Sequence, residues 1–188
     1  MSLQVLLIMV SVLWVTSEIL LARLKRSRSA DVRCDKSSLR ILWIAIALGV
    51  NCGVVLGFQQ AGSFGAGSRV YPVAGLLLIA CGLIVRWRAI FALKRQFTVD
   101  VSITKDHRIV REGVYRFVRH PAYAGSLASF LGLGLYFSNY ISLLVIFLPI
   151  CSAFLYRIHV EEKVLVEHFG NEYVAYRAST KRLIPGIY

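Results

Sequence analysis

Acidic residues are scarce in this sequence, where ten Asp and Glu are outnumbered by 22 Lys and Arg among 188 residues. In a water-soluble chain such a basic excess would indicate nucleic-acid binding. Charges of both signs are nevertheless uncommon, because 57% of the residues are hydrophobic and the mean hydropathy is +0.64. This composition argues against a soluble domain and against a nucleic-acid partner, and it points to the lipid bilayer as the solvent.

Cysteine and histidine are scarce as well, with four residues of each type. Cys52, Cys81 and Cys151 lie within apolar tracts, and Cys34 is alone in a basic segment. Zinc sites and disulfide frameworks both require Cys or His residues at short, paired spacings. We therefore predict no metal site and no disulfide, and we interpret the cysteines as small apolar residues.

Long apolar tracts, in contrast, are abundant. A membrane-spanning helix needs about 20 apolar residues, and three tracts reach that length; two shorter ones follow, separated by a Ser-Asn pair that favours a tight turn. We predict an all-α, polytopic membrane protein with about five transmembrane helices, the last two forming a helical hairpin. The five tracts are Leu3–Leu21, Leu39–Gly57, Tyr71–Leu93, Ala122–Tyr136 and Tyr140–Tyr156.

The basic residues are distributed unevenly between these tracts. Of the 22 Lys and Arg residues, 21 lie within the segments 23–40, 86–119 and 157–182, and the other is Arg69. Cytoplasmic loops collect Lys and Arg, whereas translocated loops do not. The pattern predicts that these three segments face the cytoplasm and that the N-terminus lies outside, on the external or lumenal side.

Reactive side chains are concentrated in the second half of the chain. We predict a scaffold of three transmembrane helices over residues 1–93. Residues 94–188 would then supply a cytoplasmic segment, the transmembrane hairpin and a C-terminal catalytic and cofactor-binding region, all within one structural domain. The Gly-rich run Gly62–Gly67 follows a membrane helix on the outer side, so we interpret it as a flexible loop and not as a nucleotide-binding turn.

A first polar cluster lies between Gly113 and Gly125. Pro121 is suited to the first turn of a helix, so the fourth helix is predicted to begin at His120-Pro121. This places Arg119 and His120 at a helix N-terminus, where anions such as carboxylates bind. Arg and His at a membrane border also serve simply as interfacial contacts, and the motif alone leaves both interpretations open.

A second polar cluster runs from Arg157 to Tyr176. The helical spacing continues to Phe169 and Gly170 can end it, which predicts a helix of about 45 Å that extends beyond the bilayer. Arg157 and Glu161 are four residues apart and share a helix face. They form either an ordinary surface ion pair or a site in which the arginine holds a carboxylate.

The two clusters together resemble a known signature. RHPAYAG at 119–125 and EEKVLVEHFGNEYVAY at 161–176 are similar to the motifs of the isoprenylcysteine carboxyl methyltransferase family, which share the frame RHPxYxG followed by EExxLxxxFGxxYxxY. The resemblance covers roughly residues 95 to 188. It implies an S-adenosylmethionine-dependent protein-S-isoprenylcysteine O-methyltransferase, which esterifies the C-terminal carboxylate of a prenylated cysteine held in the bilayer.

The resemblance also assigns expected roles to individual residues. It implies that Arg157 binds the substrate carboxylate and is the catalytic residue. The residues expected to bind the cofactor are Asp100, His107, Arg108, Ile109, Val110, Tyr115, His120, Pro121, Ala122, Tyr123 and Glu161. The residues expected to shape the pocket are Arg119, Gly125, Glu162, Tyr173 and Tyr176.

Three other functions remain compatible with the sequence. A related membrane methyltransferase acting on a phospholipid amine shares the RHPxY frame, and a membrane sterol or enone reductase using NADPH carries a similar RHP segment. A transporter or scaffold would use the intramembrane polar residues, since buried acids in membranes are commonly functional. Those polar residues are Ser11, Thr16, Ser17, Glu18 and Asn51, although Glu18 also lies close enough to the cytoplasmic end to reach the interface.

Overall fold

The protein is built almost entirely of helices, which confirms the predicted fold class. The helices of the computed structural model are α1 Leu3–Leu24, α2 Ser37–Gly57, α3 Val70–Leu93, α4 Pro121–Tyr136, α5 Tyr140–Phe169 and α6 Asn171–Ser179, with a 3₁₀ helix at Gly113–Arg116. The residues that the structure describes are 2–24, 32–35, 37–59, 61–65, 67–93, 96–97, 101–103 and 108–188.

Within this described part, four helices are long and apolar enough to cross a membrane, namely α1, α2, α3 and α5. Helix α4 has 16 residues, or about 24 Å at the helical rise, which is less than the hydrocarbon thickness of about 30 Å. The protein is therefore a multi-pass membrane protein, while the count of five spans stays a prediction. Helix α5 runs for 30 residues and ends at Gly170, whose φ is 55°, as the sequence predicts.

Helices α3 and α4 form the closest helix pair in the bundle. A Cβ on Gly82 would lie 2.5 Å from the carbonyl oxygen of Gly125, and one on Gly75 would lie 2.6 Å from that of Gly132. Small residues seven apart on each helix thus let the two backbones touch, which is how helices associate in lipid. The contact fixes α4, and with it the RHPAY turn, against α3.

The hairpin turn between α4 and α5 is fastened to the end of α2 by one side chain. The Asn139 carboxamide oxygen accepts from the backbone N–H of Ile141 at 2.9 Å and of Ser142 at 3.0 Å. Its nitrogen donates to the backbone oxygen of Ala61 at 2.8 Å. The backbone N–H of Phe64 also bonds to Ser138 at 2.8 Å, so the glycine-rich run, predicted as a flexible loop, is tied to this turn.

A small two-stranded sheet adds to the predicted helices. Strand β1, Val32–Asp35, pairs in antiparallel fashion with β2, Val101–Ile103. The alternating apolar residues around β2 are typical of a strand, but its partner is almost 70 residues away in sequence and could not be identified from local pattern. The pairing joins the connection after α1 to the connection after α3.

The C-terminal segment returns to the start of α4. The backbone N–H groups of Arg119 and His120 donate to the carbonyl oxygens of Lys181 at 2.8 Å and Arg182 at 3.0 Å. The side chain of Leu183, the next residue, is part of the hydrophobic core. The two polar clusters of the sequence are therefore bound to each other by main-chain hydrogen bonds.

Candidate functional site

Tyr123 lies at the centre of the polar site. Helix α4 begins at Pro121 as predicted, which places Tyr123 in its first turn, facing α5. The Nε of Arg157 donates to the Tyr123 hydroxyl at 3.0 Å, and that hydroxyl donates to Glu161 at 2.8 Å. The ring of His120 stacks on the Tyr123 ring, with centroids 5.6 Å apart and planes 11° apart.

Arg157 is buried, with only 2% of its surface exposed. Besides the Tyr123 contact, its Nη1 donates to the Oγ of Ser38 at 3.0 Å, and Ser38 is fully buried at the start of α2. Because Arg157 is buried, it does not form an ordinary surface ion pair. A guanidinium held in this way by hydroxyl groups is oriented and desolvated, as a carboxylate-binding site requires.

Glu162, the neighbour of Glu161, lies in a separate cluster of basic side chains. Its side chain is 4% exposed and meets the Nε of Arg119 at 2.9 Å, Nη2 of Arg182 at 3.0 Å and Nε2 of His120 at 3.3 Å. Removing one member of such a buried network leaves its partners uncompensated. Glu162 thus holds the returning C-terminal segment against the start of α4.

Arg119 binds main chain as well as Glu162. Its Nη1 donates to the carbonyl oxygen of Arg177 at 3.1 Å and to the carbonyl of Thr180. These acceptors lie at the C-terminal end of α6, where free carbonyl groups and the helix dipole favour a cation. Arg119 thus fixes the C-terminal end of α6, which is compatible with its expected role in shaping the pocket.

Three buried tyrosines pack beside the site. The hydroxyl of Tyr176 donates to the backbone oxygen of Tyr115 at 2.7 Å, and that of Tyr115 donates to Ala89 of α3 at 3.4 Å. Burial raises the pKa of Tyr176 to about 12 and holds the pKa values of Tyr115 and Tyr173 well above their usual range. These hydroxyl groups are therefore protonated donors throughout the physiological range.

The remaining predicted residues take varied positions. Val110 and Ala122 pack in one apolar cluster with Tyr115; Pro121 is fully buried. Ile109 is half-buried and Arg108 is exposed, with its backbone N–H donating to Gln96 at 2.9 Å. Gly125 allows the close backbone contact between α4 and α3. Asp100 and His107 lie outside the described residues.

An apolar cavity of about 330 Å³ opens next to Arg157 and Tyr123. Five side chains of its apolar wall are buried in the core, namely Trp14, Leu42, Phe130, Leu133 and Phe154. Residues of α1 and α2 thus line the cavity together with those of α4 and α5. The part predicted to be only scaffold contributes directly to the site.

Sequence reasoning missed three contributors to this region: Ser38, Trp14 and Arg86. In an apolar tract, a cavity-lining Trp looks the same as a lipid-facing one, and Ser38 has no local signal at all. Arg86 did carry a signal, because a charge inside a membrane helix requires a partner.

Comparisons with known proteins identify the family of this chain. A model of the phospholipid methyltransferase family matches residues 70–172. Protein-S-isoprenylcysteine O-methyltransferase of Schizosaccharomyces pombe is 34% identical over 118 residues, which are 62% of this chain and 50% of the relative. The Saccharomyces cerevisiae protein of the same name is 34% identical over 127 residues, 66% of this chain and 53% of the relative.

A solved structure is similar as well. The eukaryotic intramembrane Ras methyltransferase, isoprenylcysteine carboxyl methyltransferase, superimposes with a TM-score of 0.63 at 25% identity, covering 75% of this chain and 52% of that one. The present chain spans about half the length of the curated relatives it matches. The predicted resemblance is confirmed, and the chain belongs to the phospholipid methyltransferase family, with protein-S-isoprenylcysteine O-methyltransferases among its relatives.

Proposed function

We propose that this protein transfers a methyl group from S-adenosylmethionine to the carboxylate of a prenylated cysteine, or of a similar lipophilic acid, and forms a methyl ester. The observation that carries the proposal is the position of Arg157. Its buried guanidinium lies where an apolar cavity meets a cluster of polar side chains. A lipophilic carboxylate has an apolar tail that would occupy the cavity and a charged group that would bind Arg157.

The cavity suits the lipid part of such a substrate. Its walls are mainly apolar, and its volume of about 330 Å³ lies within the range of small-molecule sites, about 300 to 1,000 Å³. A substrate tail dissolved in the bilayer would reach it without passing through water. Arg157 would then bind the carboxylate at the cavity's polar end.

The donor set beside the cavity fits S-adenosylmethionine. The half-buried Glu161 offers a carboxylate acceptor for hydroxyl and ammonium groups, and the stacked rings of His120 and Tyr123 offer aromatic faces. Aromatic faces attract cations with about 0.5 to 2 kcal/mol, and the cofactor carries a sulfonium cation. These three residues would therefore hold it.

Methyl transfer to a carboxylate requires little more of the protein than binding and orientation of the two reactants. A carboxylate is ionised near neutral pH, so no general base is needed. When bound, S-adenosylmethionine supplies an electrophilic methyl group whose C–S bond breaks as the ester C–O bond forms, with the electron pair passing to sulfur. Arg157 holds the carboxylate in place, and Tyr123 holds Arg157, so orientation is the main catalytic contribution.

The distribution of charge supports a cytoplasmic orientation for this site. The predicted cytoplasmic segments include Arg119, Arg157 and the α6 region, which the structure brings together. We propose that the N-terminus is external or lumenal and that the cofactor enters from the cytoplasm. Within one structural domain, residues 94–188 would carry the catalytic groups, and residues 1–93 would complete the lipid cavity.

A phospholipid amine is the second candidate acceptor, because the matching family model carries the description phospholipid methyltransferase. An amine must lose a proton before it can attack, and the cationic Arg157 is a poor partner for it. The chemistry of the site therefore favours the carboxylate acceptor.

The product distinguishes the two acceptors. Detergent-purified protein is incubated with radiolabelled S-adenosylmethionine and either N-acetyl-S-farnesylcysteine or phosphatidylethanolamine, and the products are treated with alkali. We expect label on the farnesylcysteine that alkali releases as methanol, because only an ester is cleaved. Alkali-stable label on the phospholipid would instead establish the amine function. Titration with S-adenosylhomocysteine and with NADPH separates both from a reductase.

A further inference from the structure

A second, partly buried charge network joins α1, α3 and the first turn of α4. Glu18 receives two hydrogen bonds from Arg86, with Nε–Oε1 at 2.6 Å and Nη2–Oε2 at 2.7 Å. The two side chains are 20% and 11% exposed, and both line the apolar cavity beside Tyr123 and Arg157. Ion pairs that are largely removed from water are costly to form unless the geometry is good.

The remaining nitrogen of Arg86 is directed at α4. Its Nη1 donates to the Oγ of Ser126 at 2.8 Å and to the backbone oxygen of Ala122 at 3.4 Å. Ser126 itself donates to Ala122 at 3.0 Å and is 4% exposed. Ala122 immediately precedes Tyr123, so the network ends one residue from the hydroxyl that binds Arg157.

From this arrangement we propose that Arg86, oriented by Glu18, is a positioning residue that fixes the first turn of α4 and thereby the Tyr123 hydroxyl between Arg157 and Glu161. Glu18 neutralises the guanidinium and leaves Nη1 to reach the turn. The catalytic readout of this inference rests on the proposed function. A displacement of 1 Å at reacting groups can cost about 100-fold in rate.

Ser126 and Ser129 provide a matched pair of test positions. Both are buried on α4 and both donate to the carbonyl four residues earlier. Ser129 also donates to the backbone oxygen of Ile79 of α3 at 3.2 Å, whereas Ser126 accepts a hydrogen bond from Arg86. Ser126→Ala therefore removes the shorter of the two hydrogen bonds from Arg86 Nη1 to α4 and leaves only the 3.4 Å contact to Ala122, whereas Ser129→Ala removes a helix-packing hydrogen bond.

The comparison uses steady-state methyl transfer and amide hydrogen exchange of the purified full chain. We expect Ser126→Ala to lower kcat about tenfold, less than the cost of a full 1 Å displacement, and to speed exchange at Tyr123 and Ala124, whose amides bond to His120. Ser129→Ala should leave both unchanged. Equal effects of the two substitutions would overturn the proposal.

Exchanging the charges separates positioning from simple helix docking. In the double variant Glu18→Arg with Arg86→Glu an ion pair can re-form between α1 and α3, but position 86 can no longer donate to the backbone oxygen of Ala122. We expect the thermal unfolding midpoint lost in Glu18→Gln to be recovered while kcat stays low. Recovery of kcat as well would show that the ion pair only holds α1 against α3, and it would overturn the proposal. If neither the unfolding midpoint nor kcat recovers, the comparison of Ser126→Ala with Ser129→Ala tests the proposal.

The experiments distinguish failure of the proposed function from failure of the positioning role. If the wild-type protein methylates none of the acceptors, that function fails and the kcat comparison is lost. Amide exchange at Tyr123 and Ala124 still tests the positioning role, because it needs no substrate. Arg88→Gln, an exposed arginine on the same helix as Arg86, is the control for loss of charge and should change neither readout.

Discussion

Two adjacent glutamates on α5 have contrasting surroundings. Glu161 is half-buried and accepts a hydrogen bond from Tyr123, next to the cavity and Arg157. Glu162 is buried among Arg119, Arg182 and His120. A rotation of about 100° around the helix thus separates a carboxylate beside the proposed ligand site from one that holds the fold together.

The largest effect is expected from the buried acid. Glu162→Gln leaves the buried side chain of Arg119 and the partly exposed side chain of Arg182 without their counter-charge, and breaking a buried pair costs about 3 to 5 kcal/mol. We expect a large fall in the thermal unfolding midpoint in detergent. Glu167→Gln, at an exposed position on the same helix, is the control, and equal midpoints for the two variants would contradict the assignment.

Glu161→Gln should show the opposite pattern. A hydrogen bond to a charged group contributes about 1.5 to 3 kcal/mol, so we expect KM for S-adenosylmethionine to rise at least tenfold. Because Gln can still accept from Tyr123, the unfolding midpoint should change little. Steady-state kinetics and thermal unfolding of the same preparation measure both, and a loss of stability with unchanged KM would reverse the roles given to the two glutamates.

A smaller effect is expected at Ser38, which binds Arg157 from α2. Ser38→Ala removes one acceptor from the guanidinium, worth about 1 kcal/mol. We expect KM for the lipophilic acceptor to rise about fivefold while KM for S-adenosylmethionine is unchanged. Ser152→Ala, at an exposed position on α5, is the control; an equal change in both variants would remove Ser38 from the site.

The smallest effect concerns alkaline pH. The pKa of Tyr176 is raised to about 12 in the folded protein by burial, whereas the unfolded chain ionises near 10. Stability from this group is therefore complete below pH 10 and is lost progressively as pH rises towards 12. We expect Tyr176→Phe to reduce the fall of the unfolding midpoint above pH 10, compared with Tyr156→Phe at an exposed site. Parallel curves would contradict this.

Sequence patterns predicted the local features well. The helix start at Pro121, the end at Gly170 and the turn at Asn139 each depend on a few neighbouring residues with strong backbone preferences. The family motif also brought Arg157, Tyr123 and Glu161 together in advance of the structure. These are the parts of the molecule where short-range chemistry decides the geometry.

The pairing between distant segments could not be predicted. Ser38 contacts Arg157 across 119 residues and Glu18 contacts Arg86 across 68, and a single sequence does not show which distant residues pair. Periodicity also fails inside the bilayer, because lipid-facing and cavity-facing residues are equally apolar. The contribution of α1 and α2 to the cavity could not be predicted for this reason, and the sequence predicts these helices to be scaffold only.

The central claim, that Arg157 binds a lipophilic carboxylate at the end of the cavity, is tested most directly by binding. Trp14 and Trp43 line the cavity, so their fluorescence can report N-acetyl-S-farnesylcysteine and its methyl ester. We expect the free acid to bind wild-type protein at least about tenfold more tightly than the ester, or roughly 1.4 kcal/mol. Arg157→Ala should abolish that preference, while Lys163→Ala should retain it. Equal affinities of acid and ester for the wild-type protein would contradict the account.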